Sequence, residues 1–207
     1  MMASQGNPKR LLALIALALA ACASLALAAA PAGKPLPRDS IYQLALPLTD
    51  QDGRTADWRG LRGKPRVVSM FYTSCRYICP LIVDSGKAIE HQLSAAERGR
   101  IGIVLISMDP ARDTPAALRR VFDKRSLDAS RWVLASPPAT DVRAVAGLLG
   151  IRYRQLADGE FNHGSALVLL DAEGRIVART EQVGSKPDPE FIATVRRAAN
   201  GGKTPSP

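Results

Sequence analysis

Histidine occurs twice and cysteine three times in 207 residues, so metal or thiol chemistry has few places to reside. Aromatics are scarce as well: two Trp, four Tyr and four Phe leave little for stacking on bases or sugars. The net charge is +9, yet Lys and Arg are scattered and no dense basic run occurs. A basic stripe is the electrostatic footprint of nucleic-acid binding; without one, no nucleic-acid partner is expected. No internal repeat is visible. The composition, 46% hydrophobic and 23% charged, is that of an ordinary globular chain and excludes a disordered or collagen-like one. The length suffices for a core.

One long apolar run opens the chain. Lys9 and Arg10 precede Leu11–Ala30, twenty residues without a charge. A short basic head before an apolar stretch reads as an export signal. Leu19-Ala20-Ala21-Cys22 matches a lipoprotein box with Cys22 as the lipidated residue, and Ala26-Leu27-Ala28 matches a small-residue cleavage site. Left uncleaved, a run of this length also spans a bilayer. All three fates deliver the remainder to the periplasmic side of the inner membrane; two tether it to that face, and plain cleavage leaves it soluble in the periplasm. Residues 31–40, with Pro31, Pro35 and Pro37, read as a linker, 41–200 as the folded domain and 201–207 as a disordered tail.

Within the domain, Ile41–Thr49 reads as a strand, Asp52-Gly53 as a hairpin turn and Arg54–Asp57 as the returning strand. Arg66–Phe71, Ile101–Met108, Trp132–Ala135 and Ala166–Leu170 read as buried strands. A helix is expected from Pro80, with Ile82, Ile89 and Leu93 on one face. Others follow from Thr114-Pro115, a capping residue before a first-turn proline, and from Asp141. Ile151–Leu156 is expected to be extended, Arg175–Thr180 to pair with the preceding strand, and a last helix to carry Phe191, Ile192 and Val195. Strands alternating with helices, then a hairpin and a helix, give the order of a thioredoxin-like α/β domain: a mixed sheet flanked by helices, with an N-terminal extension.

Cys75 and Cys79 are the two cysteines of that domain. As a staple they would enclose three residues, which removes little entropy from the unfolded chain, so their use is chemical rather than structural. They sit between a strand end and a helix start, where α/β sheets bind ligands. The helix N-terminus and Arg76 favour thiolate over thiol, so at least one of the pair is expected to be more acidic than a free cysteine. A spacing of four in a first helical turn puts both sulfurs on one face. Two sulfurs define a metal site poorly, and histidine is the usual third ligand. His91 lies roughly opposite the apolar face of its helix and reads as a solvated surface imidazole. His163 precedes the buried strand at Ala166, in a loop that a thioredoxin-like sheet turns toward the cysteines. It is a candidate ligand. Asp109 and Asp113 read as turn and capping residues, with a role behind the ligands as the alternative.

Phe71-Tyr72-Thr73-Ser74-Cys75 to Cys79-Pro80, Ser107-Met108-Asp109-Pro110 with Arg112-Asp113-Thr114-Pro115, Trp132, and His163 before Ser165 together resemble the Sco/SenC family of copper-handling proteins. The similarity runs from about Leu44 to Ala198. Arg76-Tyr77-Ile78 departs from the proline-containing spacer common in that family. The resemblance implies one copper, Cu(I) or Cu(II), held by Cys75, Cys79 and His163. It also implies delivery of that copper, or of reducing equivalents, to the CuA site on subunit II of cytochrome c oxidase. A periplasmic copper donor would load the protein, and Cys75 and Cys79 would form a disulfide when oxidised and metal-free. The chief alternative is a membrane-tethered thiol–disulfide oxidoreductase using the same pair. A peroxidase, prompted by Thr73 ahead of Cys75, and a zinc site are further readings.

Overall fold

The computed structural model describes residues 35–75 and 78–202. The apolar run with Cys22, the start of the expected linker, Arg76, Tyr77 and residues 203–207 lie outside the described residues. Among the described residues no helix is long and apolar enough to cross a membrane.

Among the described residues, those from Leu36 onward form one compact unit. A 3-10 turn (Ile41–Gln43) leads into the hairpin of β1 (Pro47–Asp50) and β2 (Thr55–Asp57). Next come β3 (Arg66–Phe71), α1 (Ile78–Gln92), α2 (Ala95–Arg100), β4 (Gly102–Ser107), α3 (Pro115–Lys124), β5 (Trp132–Ser136) and α4 (Val142–Leu148). A second hairpin, β6 (Tyr153–Gln155) and β7 (Phe161–His163), precedes β8 (Leu167–Leu170), β9 (Ile176–Thr180) and α5 (Pro189–Ala199).

Seven strands form one mixed sheet in the order β2-β1-β5-β4-β3-β8-β9, with β6 and β7 paired apart from it. β3 runs parallel to β4, and β4 to β5; the flanking pairs are antiparallel. The continuous apolar runs explain the centre. Every residue of β4 is buried, as is β3 from Val67 to Phe71, which requires cover on both faces. The helices supply it through the expected faces: Ile82 and Ile89 from α1 with Leu93 just past its end, Leu118 and Phe122 from α3, and Phe191, Ile192 and Val195 from α5 are buried.

Helix α1, which carries Cys79, lies close on Trp132. A Cβ at Gly86 would stand 2.3 Å from the Trp132 ring. Glu90, one turn on, accepts the indole N–H at 2.9 Å and Arg131 Nε at 2.6 Å. The ring is 1% exposed and has nowhere to move. Gly86→Ala is therefore expected to destabilise the fold by about 1–3 kcal/mol, the usual cost of overpacking, read by denaturant unfolding. Unchanged stability would mean that the helix sits further from the sheet.

Three boundaries differ from the sequence reading. Ile41–Gln43 is a turn of 3-10 helix, not strand, because the Ser40 side chain accepts the Tyr42 N–H at 3.2 Å and Tyr42 is drawn fully into the core. Helix α1 begins at Ile78, ahead of Pro80; a proline in the first turn forfeits no intrahelical hydrogen bond. The segment before Ala166 is not only loop: Phe161–His163 is a short strand paired with Tyr153–Gln155.

Candidate metal centre

After Phe71 the chain leaves the sheet at the carboxyl end of β3 and turns into α1. This turn brings the two cysteines together. Cys79 lies in the first helical turn, where backbone N–H groups have no partner within the helix. Its own N–H is directed at Cys75 Sγ, 3.4 Å away. The Tyr72 N–H is in turn directed at Cys79 Sγ, 3.3 Å away. Each sulfur thus faces a main-chain donor. The two differ in access: Cys79 is buried and Cys75 half-buried.

His163 reaches the pair from the second hairpin, at the position of β7 opposite Tyr153. Its Nδ1 lies 3.0 Å from the Gly164 carbonyl oxygen. A carbonyl only accepts, so the proton of the neutral ring sits on Nδ1 and Nε2 keeps its lone pair. That lone-pair nitrogen stands 3.9 Å from Cys79 Sγ. One donor atom from each of Cys75, Cys79 and His163 lies within 4.8 Å of the others. Two donors about 2.2 Å from one ion, at a trigonal angle, are about 3.8 Å apart, so the Cys79–His163 spacing of 3.9 Å fits a shared ion without rearrangement. Two thiolates and an imidazole are a soft donor set suited to Cu(I), and also to Zn.

The electrostatics bear on the expected acidity for Cys79 alone. Burial pushes the Cys79 thiol well above its ordinary value, and the nearby Cys75 and Asp113 add to the rise; the Tyr72 N–H opposes it and loses. The helix terminus therefore does not make Cys79 acidic. Burial lowers the pKa of His163, against the opposing hydrogen bond to Gly164, so the ring stays neutral at neutral pH. Metal binding must then displace the Cys79 proton but none from His163. The Cys79 proton alone makes apparent metal affinity rise by at least about tenfold per pH unit between about pH 6 and 8, and any proton displaced from Cys75 steepens that slope. Competition titration across that range reads the slope, and a flat profile would contradict a buried protonated thiol.

The surroundings divide the two aspartates between the roles weighed for them and add Tyr72, which the sequence reading left without one. Asp113 does not cap α3; Thr114 does, accepting the Ala117 N–H at 3.3 Å. The Asp113 side chain, 1% exposed, accepts Thr73 N–H at 3.0 Å, Thr73 Oγ1 at 2.6 Å and Ser107 Oγ at 2.5 Å. It ties the cysteine loop to the end of β4. Asp109 keeps the turn role: its carbonyl accepts from Arg112 and Asp113, and its carboxylate pairs with Arg112. Tyr72 is 3% exposed and its ring packs edge-on against Phe161 and His163, with centroids 5.2 and 5.8 Å apart. His91 is exposed on α1, away from the donors. A cavity of about 170 Å³ opens beside the sulfurs, lined by Phe71, Val83, Val121, Lys124 and Arg125 among others.

The fold and the clustered donors define a thioredoxin-like protein with a soft-metal site at the strand-to-helix turn. A family model described as SCO1/SenC matches residues 38–200. The chain belongs to the SCO1/SenC family. A relative from Stutzerimonas stutzeri, named for copper binding, is 36% identical over 85 residues, and the match covers 41% of each chain, less than half the length of that relative. The structure of Bradyrhizobium japonicum ScoI with copper bound is 26% identical, with a TM-score of 0.60 over 75% of this chain and 98% of that one. A SCO1/SenC family lipoprotein of Bacillus anthracis superposes with a TM-score of 0.68 at 23% identity, covering 75% of this chain and 94% of that one.

Proposed function

We propose that this protein binds one copper ion through Cys75, Cys79 and His163 and passes it to the CuA site on subunit II of cytochrome c oxidase during assembly. The observation that carries the copper reading is the convergence of two sulfurs and a neutral imidazole, far apart in sequence, within 4.8 Å. The copper-bound ScoI relative supports it. Thiolates select Cu(I), and the imidazole accommodates both oxidation states. Three protein donors leave the ion coordinatively open, so it moves to a recipient by ligand exchange rather than being caged. The cavity beside the sulfurs offers an incoming donor a path to half-buried Cys75.

The basic head and apolar run of residues 9–30 support a location on the periplasmic face of the inner membrane, anchored or lipidated at Cys22. There a periplasmic copper donor would load the site. Anaerobic copper titration with thiol counting tests the assignment: one copper per chain and protection of Cys75 and Cys79 are expected. Copper uptake that leaves both thiols reactive would refute it.

The unequal exposure of the sulfurs favours a second reading. As a thiol–disulfide reductase, the Cys75 thiolate would attack a partner disulfide, and Cys79 would displace the mixed disulfide. The products are a Cys75–Cys79 disulfide and the partner's dithiol, two electrons having passed to the partner. Thioredoxins pair such a cysteine motif with a proline in the facing loop, and residues 162–166 contain none. Cys75→Ser would abolish this exchange, whereas His163→Ala would spare it. The Thr73 hydroxyl is donated to Asp113, which gives a peroxidase reading no support.

A further inference from the structure

We propose that Tyr72 is the positioning residue that joins the two halves of the metal centre. Its main chain holds Cys79, and its side chain holds the hairpin that brings His163. The inference rests on the copper reading of the site.

The hairpin needs such a tie. β6 and β7 have three residues each and pair only with one another, outside the seven-stranded sheet. A two-stranded hairpin is marginal on its own. Tyr72 supplies contacts along its length. The phenol hydroxyl donates to Glu160 Oε2 at 2.9 Å and accepts the Phe161 N–H at 3.4 Å. The ring meets Phe161 and His163 edge-on. The Cys75 side chain interacts with the same phenol. The Tyr72 N–H is meanwhile directed at Cys79 Sγ. One buried residue thus touches all three candidate ligands, and Glu160 anchors its hydroxyl from the hairpin. Tyr72 lies one residue beyond the end of β3, so its main chain is held by the most buried part of the sheet.

The experiment uses the full chain with Tyr72→Phe, which keeps the ring and removes the hydroxyl. In the metal-free protein, amide hydrogen exchange at Phe161 should accelerate about tenfold, as expected when a buried hydrogen bond is lost. Cu(II) affinity should fall about tenfold, in the range for partners that orient a ligand. Cu(I), held by the two thiolates, should change less than about twofold. Glu160→Gln, which keeps an acceptor, should stay near wild type, and Glu160→Ala, which frees the hydroxyl but leaves it to accept the Phe161 N–H, should shift exchange and Cu(II) affinity in the same direction as Tyr72→Phe by a smaller factor. Unchanged Phe161 exchange in Tyr72→Phe would overturn the proposal. So would equal losses of Cu(I) and Cu(II) affinity, the signature of general destabilisation. If His163→Ala left Cu(II) binding intact, the copper reading would fail, and the metal-free exchange data would still decide whether Tyr72 ties the hairpin down.

Discussion

His163→Ala is expected to weaken Cu(II) binding by at least about 100-fold, the upper end of what loss of an orienting partner costs and a floor for loss of a ligand. The Cu(II) absorption and EPR spectra should change with it. Cu(I) should still bind, because both sulfurs remain and thiolates alone suffice for that ion. The geometry sets this split. The hydrogen bond to Gly164 keeps the Nδ1 proton in place, and Nε2 is the atom turned to the thiols. His91 cannot substitute, since it lies exposed on α1 and outside the donor cluster. Stability should change little, as the ring is half-buried and makes one hydrogen bond within the hairpin. Spectra and Cu(II) affinity identical to wild type would remove His163 from the site.

Asp113→Ala should have the larger effect on the fold itself. It strips the acceptor from three donors: Thr73 N–H, the Thr73 hydroxyl and the Ser107 hydroxyl. Hydrogen bonds to a charged group contribute roughly 1.5–3 kcal/mol each, and unsatisfied buried donors add a desolvation cost, so a loss of about 3 kcal/mol is a conservative expectation. Burial holds the Asp113 carboxyl above its ordinary value despite those donors, which marks how far it is withdrawn from water. Thr73 is two residues before Cys75, so loosening it should also lower affinity for both copper oxidation states together. That pattern differs from His163→Ala, which separates them. Denaturant unfolding alongside Cu(I) and Cu(II) titrations distinguishes the two. A variant as stable as wild type would show that the Ser107 and Thr73 hydroxyls find other acceptors.

The parts of the fold that were legible were those built from local pattern. The run RVVSMF becomes β3 residue for residue, and Thr114 followed by Pro115 caps and starts α3 as their chemistry requires. The terminal hairpin and last helix follow the apolar spacing. The 3-10 turn at Ile41–Gln43 was hidden because its partly alternating residues imitate a strand, whereas a local Ser40 cap and the burial of Tyr42 decide the outcome. β6 falls within the segment 151–156 read as extended, whereas β7 was hidden because three residues are too few to display a period of two. In the site, the cysteine pair and His163 stood out by residue type and scarcity. Asp113 was read as a turn or capping residue with a role behind the ligands as the alternative, and Tyr72 was given no role of its own, because its Glu160 partner lies 88 residues away. One signal for Asp113 was available. In Asp113-Thr114-Pro115 a single helix start has two candidate caps, so one acidic side chain is left over for another task.

The most direct measurement is X-ray absorption of the copper-loaded protein carrying His91→Ala, so that only one histidine remains. Two sulfur neighbours and one imidazole are predicted for the Cu(II) form. A copper shell without imidazole scattering, or with fewer than two sulfurs, would contradict the site.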